Sequence, residues 1–398
     1  MVAAAGGAGQ RHDRTRHPVF TGRQRCARHS AGPGRPPTPP MLTLAFAAVT
    51  ALLATATLMP VLRSGAWWIR GFDFPRLQLL LLSALVLALQ LVFHPIDDPW
   101  TTAIVIVNAA CMLWQAWWIV PYTRIARVEV ADAPADARTR VRLLASNVLM
   151  TNRDATSLLE QVRAHRPDVL IAVETDAWWE ARLDTLSDLL PHAVRCPLDN
   201  LYGMHVYSRL PLHDAQIRYL VEDDIPSVHA TLELDDGRRV ALRALHPRPP
   251  SPTESDGSEE RDAELVLVGR AAQASDLPVI VAGDLNDVAW SRTTRLFRKL
   301  SGLLDPRIGR GMYNTFHARL PGLRWPLDHL FHSRHFTLVG MQRLDHVGSD
   351  HFPILVELAL SPGCNDPDAG LDADAADQAQ AREALEDATF SADATARG

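Results

Sequence analysis

"VIVAGDLNDV", residues 279–288, is an apolar run that stops abruptly on Gly283, Asp284 and Asn286. Val279, Ile280 and Val281 read as a buried strand: short, mostly β-branched and bounded by a glycine. The strand delivers a carboxylate and an amide to its C-terminal end. Two readings are open there, a capped turn or a site for a metal and a phosphate. In α/β sheets, ligands collect outside the carboxyl ends of strands. The rest of the chain therefore has to be read for polar residues placed in the same way.

They recur. Asn147 ends "RLLAS", Glu174 ends "VLIAV" and His246 ends "VALRAL". Asp328 sits in "WPLDHLF", and Asp350 and His351 precede "FPILVEL". Any one of these has an ordinary explanation, because Asn and Asp cap turns and a histidine at a strand end is commonly structural. Together they can converge on one rim. The set makes chemical sense. Glu174 is a hard oxygen ligand suited to Mg²⁺. Asn147 and Asn286 can bond phosphate oxygens or a metal-bound water without adding charge. Asp284 can orient or deprotonate a water. His351 and His246 can hold protons near neutral pH, and Asp328 or Asp350 can orient a histidine. These parts suit metal-assisted attack of water on a phosphoester.

The stretch that carries them, from about residue 139, reads as an α/β domain. Strands are expected at "RVRLLASNV", "DVLIAVE", "GMHVYS", "SVHATLEL", "RRVALRALH", "LPVIVAG", "PLDHLFH" and "FPILVEL". Helices are expected at "DATSLLEQVRAH", with Asp154 as N-cap, at 261–275 and at 291–300. Strands alternate with helices early and pair as neighbours later, which implies a mixed sheet.

The order Asn147, Glu174, "YSRLPL" (207–212), "LHPRP" (245–249), "GDLN" (283–286), "LDHLF" (327–331) and "SDHFP" (349–353) resembles the endonuclease/exonuclease/phosphatase, or DNase I-like, superfamily. The resemblance implies a two-sheet α/β sandwich with the site at one edge. It also implies roles: Glu174, Asn147 and Asp350 at a Mg²⁺ or Mn²⁺ ion; Asp284 and Asn286 positioning the nucleophile and the scissile phosphate; His351 paired with Asp328; and His246 as a second catalytic histidine. Val173 departs from the family pattern, which often has Gln before the metal-binding Glu. No aromatic-basic segment marks a nucleic-acid groove. The substrate is left open between nucleic acid and a lipid or inositol phosphate.

Other residues have ordinary and functional readings side by side. Asn152 and Arg248 are candidate substrate contacts, against helix capping for Asn152 and a solvated loop for Arg248. His205 and Tyr207 alternate on one strand and read first as buried strand residues. Asp287 either extends the metal site or finishes the turn. Trp178 and Trp179 open a helix and read as packing.

Upstream lie three apolar stretches, "MLTLAFAAVTALLATATLMPVL" (41–62), "LQLLLLSALVLALQLVF" (77–93) and "TTAIVIVNAACMLWQAWWIV" (101–120). A bilayer crossing takes roughly 20 apolar residues. Trp67, Trp68, Trp100, Trp117, Trp118 and Tyr122 lie near the edges, as in an interfacial belt. The expectation is three transmembrane helices across 41–120, a linker at 121–138, a catalytic domain at 139–362 and a multi-pass protein of the bacterial inner membrane. An Arg- and Pro-rich leader, 1–40, reads as disordered, unless translation starts at Met41. The leader would hold the N-terminus inside and place the catalytic domain outside. Arg63, Arg70, Arg76, Arg124 and Arg127 argue the other way, against Asp97 and Asp98 in the second loop. The balance goes to outside. Residues 363–398 are acidic and Ala-rich and read as a mostly disordered tail, with a transient helix near "AREALED".

Of 398 residues, 47% are hydrophobic and 22% charged, enough for a sizeable core. A net charge of −6 argues against nucleic-acid binding by bulk charge. Four scattered cysteines with no C-x-x-C pair argue against a zinc site or a disulfide framework. No obligatory protein partner is evident. The alternatives are a catalytically inactive tethered module of the same fold, which the complete polar set disfavours, and a calcineurin-type metallophosphatase, whose His-rich two-metal set is missing.

Overall fold

The computed structural model describes residues 40–93 and 98–395. The expected disorder of the leader, and Asp97, lie outside the described residues.

Four helices come first: α1 (Pro40–Leu58), the short α2 (Trp67–Arg70), α3 (Arg76–Phe93) and α4 (Pro99–Ile119). Three helical stretches, Met41–Val61, Arg76–Phe93 and Pro99–Tyr122, are long and apolar enough to cross a membrane. Their outward side chains are apolar: Leu44, Leu52, Leu85, Ile106 and Leu113 are exposed. The polar ones turn inward. Gln90 donates to Thr50 Oγ1 at 3.0 Å, Asn108 to the Ser83 carbonyl and Gln90 Oε1 at 3.1 Å each, and Gln115 to Thr57 Oγ1 at 3.1 Å. This is the reverse of a helix bundle in water. In lipid, apolar burial gives helices little reason to associate, and interhelical hydrogen bonds supply part of the attraction.

Two mixed sheets follow. The first has six strands: β1 (Arg140–Asn147), β2 (Val169–Val173), β3 (His192–Cys196), β4 (Met204–Ser208), β10 (Phe336–Arg343) and β11 (Ile354–Leu360), in the order β10-β11-β1-β2-β4-β3. The second has five: β5 (Leu212–Tyr219), β6 (Pro226–Glu233), β7 (Arg239–Leu245), β8 (Val279–Asp284) and β9 (Asp328–His332), in sequence order. Side chains from both, such as Leu143, Ile171 and Val356 against Val228, Leu242 and Ile280, form one buried core between them. Helices α5 (Thr156–His165) and α6 (Ala177–Leu183) pack on the outer face of the first sheet. Helices α7 (Glu259–Gln273) and α8 (Arg292–Ser301) cover the second. The expected two-sheet α/β sandwich with three preceding apolar helices is the architecture found.

Each sheet holds one parallel pair, β1–β2 and β7–β8; the other pairs are antiparallel. Parallel neighbours end on the same side. Asn147 is therefore level with Val173, one residue before Glu174, and Leu245, one before His246, is level with Gly283. β9 and β11 run antiparallel to β8 and β1, so their first residues come to the same rim.

Three strands, β3, β5 and β10, are not among the sequence-based expectations. All three are sheet edges. An edge strand buries less of itself, so its apolar alternation is weak; no residue of β5 is fully buried. Asp154 lies one position earlier than a formal N-cap, yet its Oδ1 accepts the Thr156 N–H at 3.0 Å. The tail also differs. Residues Ala375–Thr395 form a helix, α9, laid across α7 and α8. Ala381 is fully buried there against Val266, Leu296 and Leu300, and Lys299 binds Asp377 at 2.6 Å. Small alanines let helices approach closely, so this helix packs with few large apolar residues, Leu385 among them. The stretch expected as a linker is docked too: Val130 is buried in the sandwich core, and Leu338 N–H donates to the Ala131 carbonyl at 2.9 Å.

The helical bundle is fixed to the sandwich close to the GDLN turn. Tyr122 Oη donates to the Ala289 carbonyl at 2.5 Å and Trp290 Nε1 to the Asp73 carbonyl at 2.8 Å. Arg70 lies 3.7 Å from Asp262 and 4.0 Å from Asp287. Ile119, Tyr122, Val288, Trp290 and Leu327 bury one another at this junction.

Candidate active site

The rim gathers Asn147, Glu174, His246, Asp284, Asn286, Asp328 and His351 by direct contact or close charge coupling. Local backbone geometry makes this possible. Gly283 has φ +140°, and a Cβ there would meet the Leu245 carbonyl oxygen at 2.0 Å. Only glycine lets β8 run this close to β7 while delivering Asp284 to the end of the strand. The residues that leave the strands, Glu174 (φ 61°) and Asn286 (φ 50°), are both left-handed. Non-glycine residues there carry strain that concentrates at functional positions.

Asp284 is the hub. Its Oδ1 accepts the Asn286 backbone N–H at 2.9 Å, its Oδ2 accepts from Asn147 Nδ2 at 3.0 Å, and His351 Nε2 lies 3.5 Å from Oδ2. Burial would raise its pKa, but the His351 cation and these donors outweigh burial and hold it below the usual carboxylate value. On the other side of the imidazole, His351 Nδ1 donates to Asp328 Oδ2 at 2.7 Å. Burial alone would neutralise His351. Two carboxylates on its two nitrogens overcome that and push it up to about 10, so the ring is an imidazolium at neutral pH. Burial pushes the Asp328 carboxyl up, against the lowering pull of His351.

His246 is the opposite case. Burial drives it down to about 4, leaving a neutral imidazole. Its Nδ1 is buried without a protein partner, and its ring lies 5.2 Å from Tyr202. Asn286 uses one amide N–H on the Pro247 carbonyl at 3.0 Å, which ties the His246 strand end to the GDLN turn.

Glu174 accepts from Asn147 Nδ2 at 2.6 Å and from Met150 N–H at 3.3 Å. Burial, with Asp284 and Asp350 adding repulsion, raises its carboxyl to about 7. A desolvated carboxylate facing two other acids, bonded only by neutral donors, is what a divalent cation compensates. The donor set therefore suits a divalent cation at Glu174, which Asn147 contacts and whose charge Asp350 also feels. A second grouping meets a spacing test for a cation: ligand atoms of Asp284, Asp328 and His351 lie within 4.8 Å of one another. There the imidazolium already supplies the positive charge, which makes Glu174 the better place for an ion.

Two expected substrate contacts are engaged by neighbouring groups of the chain. Arg248 is held by Glu222 at 3.0 Å and Asp224 at 3.3 Å, with its guanidinium over Tyr202, so it is engaged by acids. Asn152 donates to the Val347 carbonyl at 3.0 Å and accepts from Asp154 N–H at 3.2 Å, a local bracing role. The ordinary readings hold for several others. Asp287 finishes the turn on Val288 N–H at 2.9 Å and Ser291 Oγ, His205 binds Thr175 and Glu180, and Trp179 is core. The sequence reading did not single out Phe316 and Thr315. The Phe316 ring is 4.9 Å from that of His351, and Thr315 Oγ1 accepts the Asp328 N–H at 3.2 Å. Both sit in a coil between elements, where no periodicity points to them.

Two sheets with acids, amides and histidines gathered on the rim define an α/β-sandwich hydrolase. The chain belongs to the Endonuclease/Exonuclease/phosphatase family, whose sequence model matches residues 144–351, just over half of it. Members of that family are nucleases and phosphatases acting on phosphoester bonds. A UPF0294 protein of Vibrio cholerae serotype O1 is 30% identical over 136 residues, 34% of this chain and 45% of that protein. The chain thus matches less than half the length of that relative. Among solved structures, an endonuclease/exonuclease/phosphatase from Beutenbergia cavernae is similar at 18% identity and a TM-score of 0.46, over 56% of this chain and 72% of that one. The human Nocturnin catalytic domain is similar at 17% identity and a TM-score of 0.45, over 56% and 95%.

Proposed function

We propose that this chain is a membrane-anchored, metal-dependent phosphoesterase that hydrolyses a phosphodiester or phosphomonoester by attack of water. The observation that carries the proposal is His351 held as a cation between Asp328 and Asp284, on the rim that also bears Glu174 and Asn147. Asp284, kept ionised, orients the water and accepts its proton. The His351 imidazolium, whose Nε2–H is only loosely engaged by Asp284 at 3.5 Å, stabilises negative charge developing on the phosphate. Asp328 fixes the ring and its protonation. Neutral His246 hydrogen-bonds a substrate oxygen, and the second amide N–H of Asn286 bonds a phosphate oxygen. Bound Mg²⁺ or Mn²⁺ at Glu174, Asn147 and Asp350 would polarise the phosphoester and lower the pKa of a coordinated water.

Nucleic acid and lipid or inositol phosphates are both substrates of the right chemistry. In this reading the three apolar helices cross a bacterial inner membrane and the catalytic domain lies on its outer side; their length and apolar outward faces support the crossing, and the Arg-rich leader sequence supports the side. Protease digestion of spheroplasts tests the side: cleavage within 139–362 without lysis is expected, and protection until lysis places the domain inside.

For the activity, the full chain in detergent is assayed on bis(p-nitrophenyl) phosphate and p-nitrophenyl phosphate with Mg²⁺ or Mn²⁺. Hydrolysis lost with EDTA, with His351→Ala and with Asp284→Ala is expected. Turnover unchanged in all three overturns the proposal.

A further inference from the structure

Residues 317–323, "HARLPGL", form a tight loop between Phe316 and Trp325. Leu320 N–H donates to the His317 carbonyl at 3.1 Å, and Leu323 N–H to the Leu320 carbonyl at 2.9 Å. The loop exposes two large apolar side chains side by side, Leu320 (47%) and Leu323 (46%). Among the described residues beyond the bundle, the other large apolar side chains exposed by more than a third are Ile217 and Tyr219 on β5 and Ile125 and Val128 after α4.

The position of the loop is set by a bond to the bundle. Gln78 Nε2 donates to the Gly322 carbonyl at 3.0 Å. Gln78 is the third residue of α3, about 3 Å along a helix that rises 1.5 Å per residue. The loop tip is therefore level with the first turn of an apolar span. Trp67 and Trp68, both exposed, mark the same end of the bundle, where aromatic side chains favour a membrane–water boundary. Exposed Arg319 lies beside the two leucines, with one Nη on the Gly348 carbonyl at 2.9 Å, and brings charge that suits anionic headgroups.

The base of the loop is the wall of the active site. Ala318 N–H donates to the Asp350 carbonyl at 2.6 Å, one residue before His351. Phe316 touches the His351 ring, and Trp325 stacks on Phe316 at 6.3 Å and meets Phe74 of the bundle at 5.5 Å. One short segment thus joins an exposed apolar tip at bilayer depth to the catalytic histidine.

We propose that residues 317–323 insert Leu320 and Leu323 into the bilayer boundary, and that the substrate of this site is the phosphoester headgroup of a membrane lipid presented there. The second half rests on the phosphoesterase reading above; the first does not.

The test uses the full chain in nanodiscs of phosphatidylcholine, phosphatidylglycerol and phosphatidic acid, which offer both diester and monoester headgroups. An environment-sensitive fluorophore is placed by Leu323→Cys, with Cys26 and Cys364 changed to serine. Quenching by doxyl-labelled lipid and protection from iodide is expected; quenching by iodide without quenching by doxyl lipid overturns insertion. In parallel, Leu320→Ser with Leu323→Ser is expected to lower release of water-soluble phosphate products from the disc at least tenfold. Hydrolysis of soluble bis(p-nitrophenyl) phosphate should stay within twofold. Equal effects on both substrates, or wild-type hydrolysis of the soluble ester with none of the lipids, overturns the lipid assignment and leaves the phosphoesterase reading standing. Hydrolysis of neither by wild type removes the lipid assignment along with that reading, while the quenching result still decides where the loop lies.

Discussion

Asp284 and Asp328 face each other as register partners on adjacent antiparallel strands, and His351 lies between their carboxylates, 2.7 Å from Asp328 and 3.5 Å from Asp284. Two buried acids this close would repel one another; the imidazolium lets both be present. Asp328→Asn keeps the shape and removes one of the charges that hold His351 protonated. The expected result is a fall in kcat of roughly 10²–10⁴-fold, the range for positioned acid–base groups, with KM little changed. A pH–rate profile should show the limb assigned to His351 moving to lower pH. An unmoved limb would mean that Asp328 does not set the protonation of the ring.

Divalent metal should stabilise the fold through Glu174. Wild type is expected to melt at a higher temperature as Mg²⁺ or Mn²⁺ is added, by the usual mass-action increment. Glu174→Gln removes a desolvated carboxylate, so its metal-free melting temperature should equal or exceed that of wild type, with the metal increment gone and activity lost. A variant that still responds fully to metal would move the ion elsewhere, first to Asp284 and Asp328.

Glu264, buried on α7 near Glu222, gives a pH dependence of known sign. Burial pushes it from an ordinary 4.5 up to about 8. The folded state keeps a proton that the unfolded state has released, so its contribution is complete below 4.5 and is lost as pH rises toward 8. The slope is on the order of 1.4 kcal/mol per pH unit across that window at most. Denaturant melts from pH 5 to 8 should show the decline, and Glu264→Gln should flatten it.

His332, also buried, gives the opposite slope. Burial lowers it to about 4. The unfolded chain takes up a proton below about 6.5 that the folded chain refuses, so stability falls as pH falls from 6.5 toward 4. His332→Phe should reduce that loss in melts between pH 4.5 and 6.5.

Gly283→Ala should disable the site without touching a polar group. A methyl there meets the Leu245 carbonyl at 2.0 Å and demands a φ that alanine avoids. The strand end must shift and carry Asp284 with it. A loss of at least 10²-fold in kcat is expected, since small displacements of reacting groups are that costly, with a lowered melting temperature.

The chain itself determined a good deal. The three long apolar stretches mark the bundle by their length alone. Apolar runs closed by Asn147, Glu174, His246 and Asp284, and one opened by Asp328, mark strands, because burial imposes a pattern on a strand covered on both faces. Strands β3, β5 and β10 stayed hidden for the same reason: as sheet edges they are covered less and alternate weakly. Helix α9 is legible in the sequence only as a transient helix near "AREALED", because its packing rests mainly on alanines, which leave no strong apolar signal. Only the tertiary structure decided which polar strand ends meet. Parallel pairing brings the ends of β1 with β2, and of β7 with β8, to one side, and antiparallel β9 and β11 return Asp328 and His351 to it. The same packing withdraws Arg248 into an acidic neighbourhood and brings in Phe316. It also binds Gly322 to α3, a contact between residues 244 positions apart, and no local pattern in the sequence encodes a contact that distant.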